Sequence, residues 1–342
     1  MEPGRREAML YERQEDGKVR CLLCRHGCLI GPGKRGICGV RENRGGVLET
    51  LVYARAIARH IDPIEKKPLF HVLPGSLSYS IATAGCNFRC RFCQNSDISQ
   101  MPADHDGLIA GQDYPPETVV RDALAAGCKS IAYTYTEPTV YFEYAYETAK
   151  LARQKGLKNV FVTNGYESDE AVALIAPYLD AANVDLKAFS EEFYREQAGA
   201  KLSRVQDTLR AMHKAGIFLE VTTLVIPGLN DHPGELKALA EFLARELSPA
   251  VPWHVSRFHP TYRCTDRPVT PVATLLAARE AGRSAGLHYV YTGNIPGRGG
   301  EDTLCHSCGA LLIGRTGYTI SAFRLGAGKC PQCGTPAAGI WS

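Results

Sequence analysis

From about residue 77 to residue 295, short runs of β-branched and aromatic residues alternate with longer amphipathic segments. The runs "YSIATAG", "SIAYTYT", "KNVFVTN", "AANVDLKA", "IFLEVTTLVI", "PWHVSRF" and "LHYVYTG" predict strands, since short apolar stretches bounded by turn residues suit a strand buried on both faces. Between them the spacing predicts helices over roughly 117–126, 139–155, 168–178, 203–215, 234–246 and 271–285. Pro116-Glu117, Ser168-Asp169-Glu170 and Pro233-Gly234-Glu235 mark helix starts, and Gly127, Gly156, Gly216 and Gly286 mark stops. Repeated strand–helix units imply a parallel sheet with right-handed crossovers. That many units in series fit an α/β fold of the partial or complete (β/α) barrel kind, with functional groups at the C-terminal ends of the strands.

Outside this region the pattern changes. Residues 1–50 are rich in cysteine and glycine with little periodicity, so metal rather than an apolar core is expected to hold them. Residues 51–76 read as a connection packed on the barrel, which is placed at 77–298, and residues 299–342 form a further cysteine-bearing module. A net charge of +3 gives no reason to invoke nucleic acid or an anionic membrane. No apolar run is long enough to cross a bilayer, and "MEPGRREAMLYERQEDGK" has no signal-peptide core, so a cytoplasmic location is expected. Thiols stay reduced there, and the 13 cysteines therefore read as metal ligands or catalytic groups before disulfides.

All but Cys128 and Cys264 fall into three groups at chelating spacing. "CHSC" and "CPQC", carrying Cys305, Cys308, Cys330 and Cys333, match the paired knuckles of a zinc ribbon, with four ligands closing a structural site. Cys21, Cys24, Cys28 and Cys38 also supply four thiolates, suited to zinc or to an iron–sulfur cluster. His26, inside that loop, is expected to face solvent. The central group "CNFRCRFC" differs: Cys86, Cys90 and Cys93 are three, and a four-iron cubane held by three thiolates leaves one iron without a protein ligand. Open coordination suits catalysis, as it does in zinc enzymes. A three-cysteine zinc site completed by a distant ligand such as His71 is the rival reading of the same spacing.

C-x3-C-x2-C with an aromatic residue before the last cysteine resembles the signature of the radical S-adenosylmethionine (SAM) superfamily. "YTYTEPT", "VTNGY", "VDLKAF" and "VIPGLND", each at a strand end, resemble the subgroup of pyruvate formate-lyase activating enzymes. "CRHGC", "GKRGICGVRENR", "EKKPLFHVLPGS" and the terminal ribbon are most similar to the radical SAM member of the AmmeMemoRadiSam group. The resemblance implies a [4Fe-4S] cluster on Cys86, Cys90 and Cys93, with SAM chelated to the open iron and Phe92 shielding the site from water. It implies that Glu137 accepts a hydrogen bond from the SAM amino group, with Tyr135 and Thr136 in place of the usual glycines. Lys187 would meet the SAM carboxylate, Asp185 would help hold a cation, and Thr163 and Asn164 would contact backbone or ribose. Val162 stands where relatives carry an acid, which leaves that cation site incomplete. The implied partners are SAM, a one-electron donor such as flavodoxin or ferredoxin, and in an activase a protein substrate. "QNSDISQMPADHDGLIAGQDYPPE" contains no cysteine, so an activase with a ferredoxin-like insertion after the signature is ruled out. The reading from a different class is a zinc-stabilised adaptor, with zinc in all three groups and no redox activity.

Overall fold

The computed structural model describes residues 4–295 and 300–342. The expected module boundary at 298/299 falls outside the described residues. Its centre is an eight-stranded sheet whose spatial order follows the chain without reversal: β1 (Ala58–Pro63), β2 (Leu77–Ala82), β3 (Ser130–Tyr133), β4 (Lys158–Thr163), β5 (Ala181–Asp185), β6 (Phe218–Val225), β7 (Trp253–Arg257) and β8 (Val290–Gly293). Strands β2 to β8 pair in parallel, and β1 lies antiparallel on β2 with His60 opposite Ser80. The described residues contain no pairing between β1 and β8. The sheet is therefore a partial barrel. A sheet wound in one direction has no internal switch point, so its binding site falls at the mouth formed by the strand ends.

Helices α1 (Pro116–Ala125), α2 (Phe142–Gln154), α3 (Asp169–Ile175), α4 (Leu202–Lys214), α5 (Pro233–Phe242) and α6 (Val272–Ser284) occupy the connections. They cover the apolar face. A Cβ at Gly282 of α6 would come within 2.9 Å of the Trp253 ring, so only glycine lets α6 settle onto β7. The opposite face is polar. Asn183 pairs with Glu220, and Thr222 with His254, so these four share the face that also carries Asp185. That inner face is closed at one end by the connection: Asn183 Nδ2 donates to Pro68 O (2.7 Å), and Glu220 accepts from His71 N (2.8 Å) and pairs with His254 Nε2 (2.7 Å).

The connection contributes more than packing, because β1 is a member of the main sheet. Residues before it form two three-stranded antiparallel sheets. Val19, Leu23, Ile30, Val40 and Leu48 are buried in one continuous apolar cluster with barrel residues such as Ile81 and Val119. Metal was expected to replace a core here, yet a core exists. Its strands are only two to four residues long, too short for alternation to show in the sequence. At the other end, Thr303–Leu304, Leu311–Thr316 and Thr319–Phe323 form a three-stranded sheet beside a small core containing Cys305, Leu312, Ile313 and Cys330.

Candidate active site

The loop after β2 carries Cys86, Cys90 and Cys93. Gly85 has φ +98° and a Cβ there would lie 2.6 Å from Val40 Cγ1, so both the turn and the close approach require glycine. The loop is pinned by its backbone: Arg89 N and Arg91 N donate to Ala198 O and Gln197 O at 2.8 and 3.0 Å. Phe88 N (3.4 Å) and Asn164 Nδ2 (3.8 Å) both point to Cys86 Sγ, and Cys93 Sγ lies 3.1 Å from Ser99 Oγ. Burial pushes the Cys86 thiol up, and pushes Cys90 up to about 12. Thiols so desolvated become ligands when a bound cationic centre stabilises the thiolate.

The ends of the next three strands converge on this loop. Glu137, four residues beyond β3, caps the helical turn Pro138–Tyr141. Its Oε1 accepts from Thr139 N (3.1 Å), Thr139 Oγ1 (2.6 Å) and Thr163 Oγ1 (2.8 Å), and its Oε2 from Asn164 N (2.8 Å). It is only 1% exposed, so most of its acceptor capacity goes to the protein. Asn164 Nδ2 also donates to Asn87 Oδ1 (2.7 Å), which ties the end of β4 to the cysteine loop. Beyond β5, Lys187 Nζ donates to Asp185 Oδ2 (2.8 Å) and lies 6.0 Å from the centre of the Phe92 ring. Burial pulls the Lys187 ammonium down, but Asp185 and Cys90 raise it further than burial lowers it, so the lysine stays charged beside the loop.

Cys86, Cys90, Cys93, Phe92, Glu137, Thr163, Asn164, Asp185 and Lys187 are thus gathered at one end of the barrel. The remaining candidates lie elsewhere. His71 is bonded to Ala338 O (2.6 Å) and Tyr291 OH (2.6 Å) at the closed end, away from the three cysteines, so it does not complete their coordination. His254, paired with Glu220 on the inner face, belongs to the same buried network. His26, expected in solvent, is half-buried against Tyr166, and its Nε2 is 2.9 Å from Asn87 O.

Two features were not foreseen. Glu167 is fully buried, and Thr163 Oγ1 lies 2.8 Å from its Oε1 as well as 2.8 Å from Glu137 Oε1. One hydroxyl has one proton to donate, so two carboxylates can share it only if one of them is protonated. Burial, then the charge of Glu137, raises Glu167 to about 8, so Glu167 holds the proton and Glu137 the charge. Tyr135 has φ +63°, the left-handed conformation a glycine would adopt freely. Its hydroxyl donates to Asp62, its ring lies 4.5 Å from Lys67 Nζ, and its carbonyl accepts from Asn95 Nδ2 (2.8 Å). Lys67 Nζ in turn donates to Asp62 Oδ2 (2.6 Å), so β1 and the connection hold the strained turn in place. The tyrosine standing in a glycine position was the available signal.

At the far end of the chain, Cys305 Sγ and Cys333 Sγ lie 3.6 Å apart and Cys308 Sγ and Cys330 Sγ 3.7 Å, and all four are within 4.8 Å of one another. A tetrahedron with metal–sulfur bonds of 2.3 Å has edges of about 3.8 Å, so this set fits a single ion.

A family model described as the radical SAM superfamily matches residues 80–243. An uncharacterized protein of Methanocaldococcus jannaschii is 45% identical over 331 residues, covering 96% of this chain and 98% of its own. The chain belongs to the radical SAM superfamily. A shorter stretch of 123 residues, 34% of this chain and 40% of the relative, is 30% identical to the isethionate sulfite-lyase activating enzyme of Nitratidesulfovibrio vulgaris. The radical SAM methyltransferase of Sphaerobacter thermophilus shares the fold, with a TM-score of 0.50 over 70% of this chain and 71% of that one at 15% identity. Radical SAM membership carries a [4Fe-4S] cluster and SAM with it, and the adaptor alternative is set aside. Among the described residues no helix is long and apolar enough to cross a membrane.

Proposed function

We propose that this protein cleaves SAM reductively at a [4Fe-4S] cluster held by Cys86, Cys90 and Cys93, and uses the resulting radical to take a hydrogen atom from a substrate. The convergence of the three-cysteine loop with Glu137, Asn164 and Lys187 at one barrel mouth carries this reading. A cluster held by Cys86, Cys90 and Cys93 would supply the one electron that reductive cleavage of the SAM sulfonium requires.

This chain's residues do the rest. The N–H groups of Phe88 and Asn164 steady the Cys86 sulfur and offset its negative charge. Glu137 holds the ends of β3 and β4 in register and keeps one acceptor position on Oε2 for the SAM amino group. Lys187 offers the SAM carboxylate a charge-assisted contact, with Asp185 holding the ammonium in place. Phe92 excludes water beside it. The Cys305, Cys308, Cys330 and Cys333 set holds structural zinc. The name of the Nitratidesulfovibrio relative, an enzyme that activates a lyase, favours a protein substrate.

Protein purified and reconstituted without oxygen, then reduced in the presence of SAM, should release 5′-deoxyadenosine. A colourless protein that holds zinc in place of iron and releases none would refute the proposal.

A further inference from the structure

The N-terminal cysteines do not share the geometry of the C-terminal ones. Cys21 closes the strand Val19–Cys21, and its N–H donates to Cys28 O (2.9 Å). Gly27 N donates to Cys24 O (3.1 Å), and Gly39 N to Gly36 O (2.9 Å), which shapes the turn holding Cys38. All four cysteines line one cavity together with His26, Arg41 and Asn87. Cys305, Cys308, Cys330 and Cys333 close to within 4.8 Å of one another, around a single point, whereas the N-terminal four are spread around the wall of a cavity. One zinc ion would need sulfurs about 3.8 Å apart. The ligands of a cubane each bind a different iron and stand further apart.

The cavity wall points the same way. Arg41 is 1% exposed; its Nη2 donates to Met9 O (2.6 Å) and Glu143 Oε1 (2.9 Å), but its Nε and Nη1 have no partner. Asn87 Nδ2, on the same wall, is also buried without a partner. Buried N–H donors left over around a set of thiolates are suited to an anionic occupant with sulfur acceptors on its surface.

We propose that Cys21, Cys24, Cys28 and Cys38 hold a second [4Fe-4S] cluster, fully ligated by protein and packed against the loop of the first. The two sites touch. Asn87 lines this cavity and follows Cys86 in the chain, and a Cβ at Gly85 would lie 3.1 Å from Cys38 O. With all four irons occupied by cysteine there is no position for SAM, so the second cluster carries electrons. It accepts one from a one-electron donor protein and passes that one to the neighbouring cluster, which SAM cleavage then oxidises. This role rests on the radical SAM reading; the cluster itself does not.

The test is metal analysis and electron paramagnetic resonance on the full-length protein, reconstituted anaerobically with iron and sulfide. Wild type should hold about eight irons and about one zinc, four irons to each cubane. Changing Cys21, Cys24, Cys28 and Cys38 together to Ala should remove about half the iron and leave the signal that changes on adding SAM. Changing Cys86, Cys90 and Cys93 to Ala should leave about four irons whose signal ignores SAM, and this variant keeps the test intact if the first does not fold. Wild type with about four irons and about two zincs, together with an iron-free Cys86/Cys90/Cys93 variant, would overturn the second cluster while leaving the radical SAM reading standing. A wild type with eight irons and no response to SAM would do the reverse.

Discussion

Thr163 stands between two buried carboxylates and has a single proton to give. Glu137 takes four donors, two of them backbone N–H groups, whereas Glu167 Oε2 has none. The negative charge therefore rests on Glu137, and Glu167 stays protonated with its carboxyl raised to about 8. An acid whose folded-state value is raised stabilises the fold most fully below its unfolded value of about 4.3, and that contribution is lost as pH climbs through 8. Denaturant titrations across this range should show wild type losing stability relative to Glu167→Gln as pH rises, because the amide cannot ionise. A constant difference from pH 5 to 8 would mean that Glu167 is already charged. Neither the shared proton nor its position was legible in "VTNGYES", since it depends on Glu137 arriving from another strand. The cysteine loop stands out by its spacing, whereas Glu137, Asp185 and Lys187 became candidates only through the family resemblance of their motifs.

Gly85 shows what happens where elements meet. It ends the run from β2 and begins the cysteine loop, and Val40 and Cys38 press on it from the N-terminal sheets. Gly85→Ala would force a non-glycine residue into φ +98° at roughly 1–2 kcal/mol, and would push the N-terminal segment off the loop. Thermal unfolding should shift downward and iron content should fall, since both cysteine sets share this contact; a variant with unchanged iron would show that the two sets are independent. Helices and parallel strands were legible because each is long enough to display its period. Strand β1 was not, because "ARHIDP" lies at a sheet edge, exposes Ile61 and buries the charged Asp62, so its pattern runs against the usual apolar-in alternation.

The whole molecule is held together by contacts that span nearly its full length. Arg315 Nη2 donates to Phe70 O (2.6 Å) and its guanidinium lies 4.5 Å from the Phe70 ring centre, while Tyr291 OH meets both His71 Nε2 (2.6 Å) and Thr303 Oγ1 (2.7 Å). The C-terminal module is therefore the outer layer of the barrel's closed end. Removing the zinc proposed for it, by a chelator or by Cys308→Ser, should lower the melting temperature of the barrel as well as of the module, with the iron content of purified protein unchanged. A melting curve insensitive to chelation would show that the module only leans on the barrel. This layering could not be foreseen from "CHSC" and "CPQC", which announce a metal but not the surface it braces.

His71 is bonded to Ala338 O, Ile340 N donates to His71 O (2.7 Å), and Leu73 N donates to Ile340 O (2.7 Å). A nascent chain halted after β8 would thus carry a barrel whose floor is unsealed, with His71 and Phe70 lacking their covers. Closure of that floor therefore waits until residues 338–340 have been made, after every strand of the barrel.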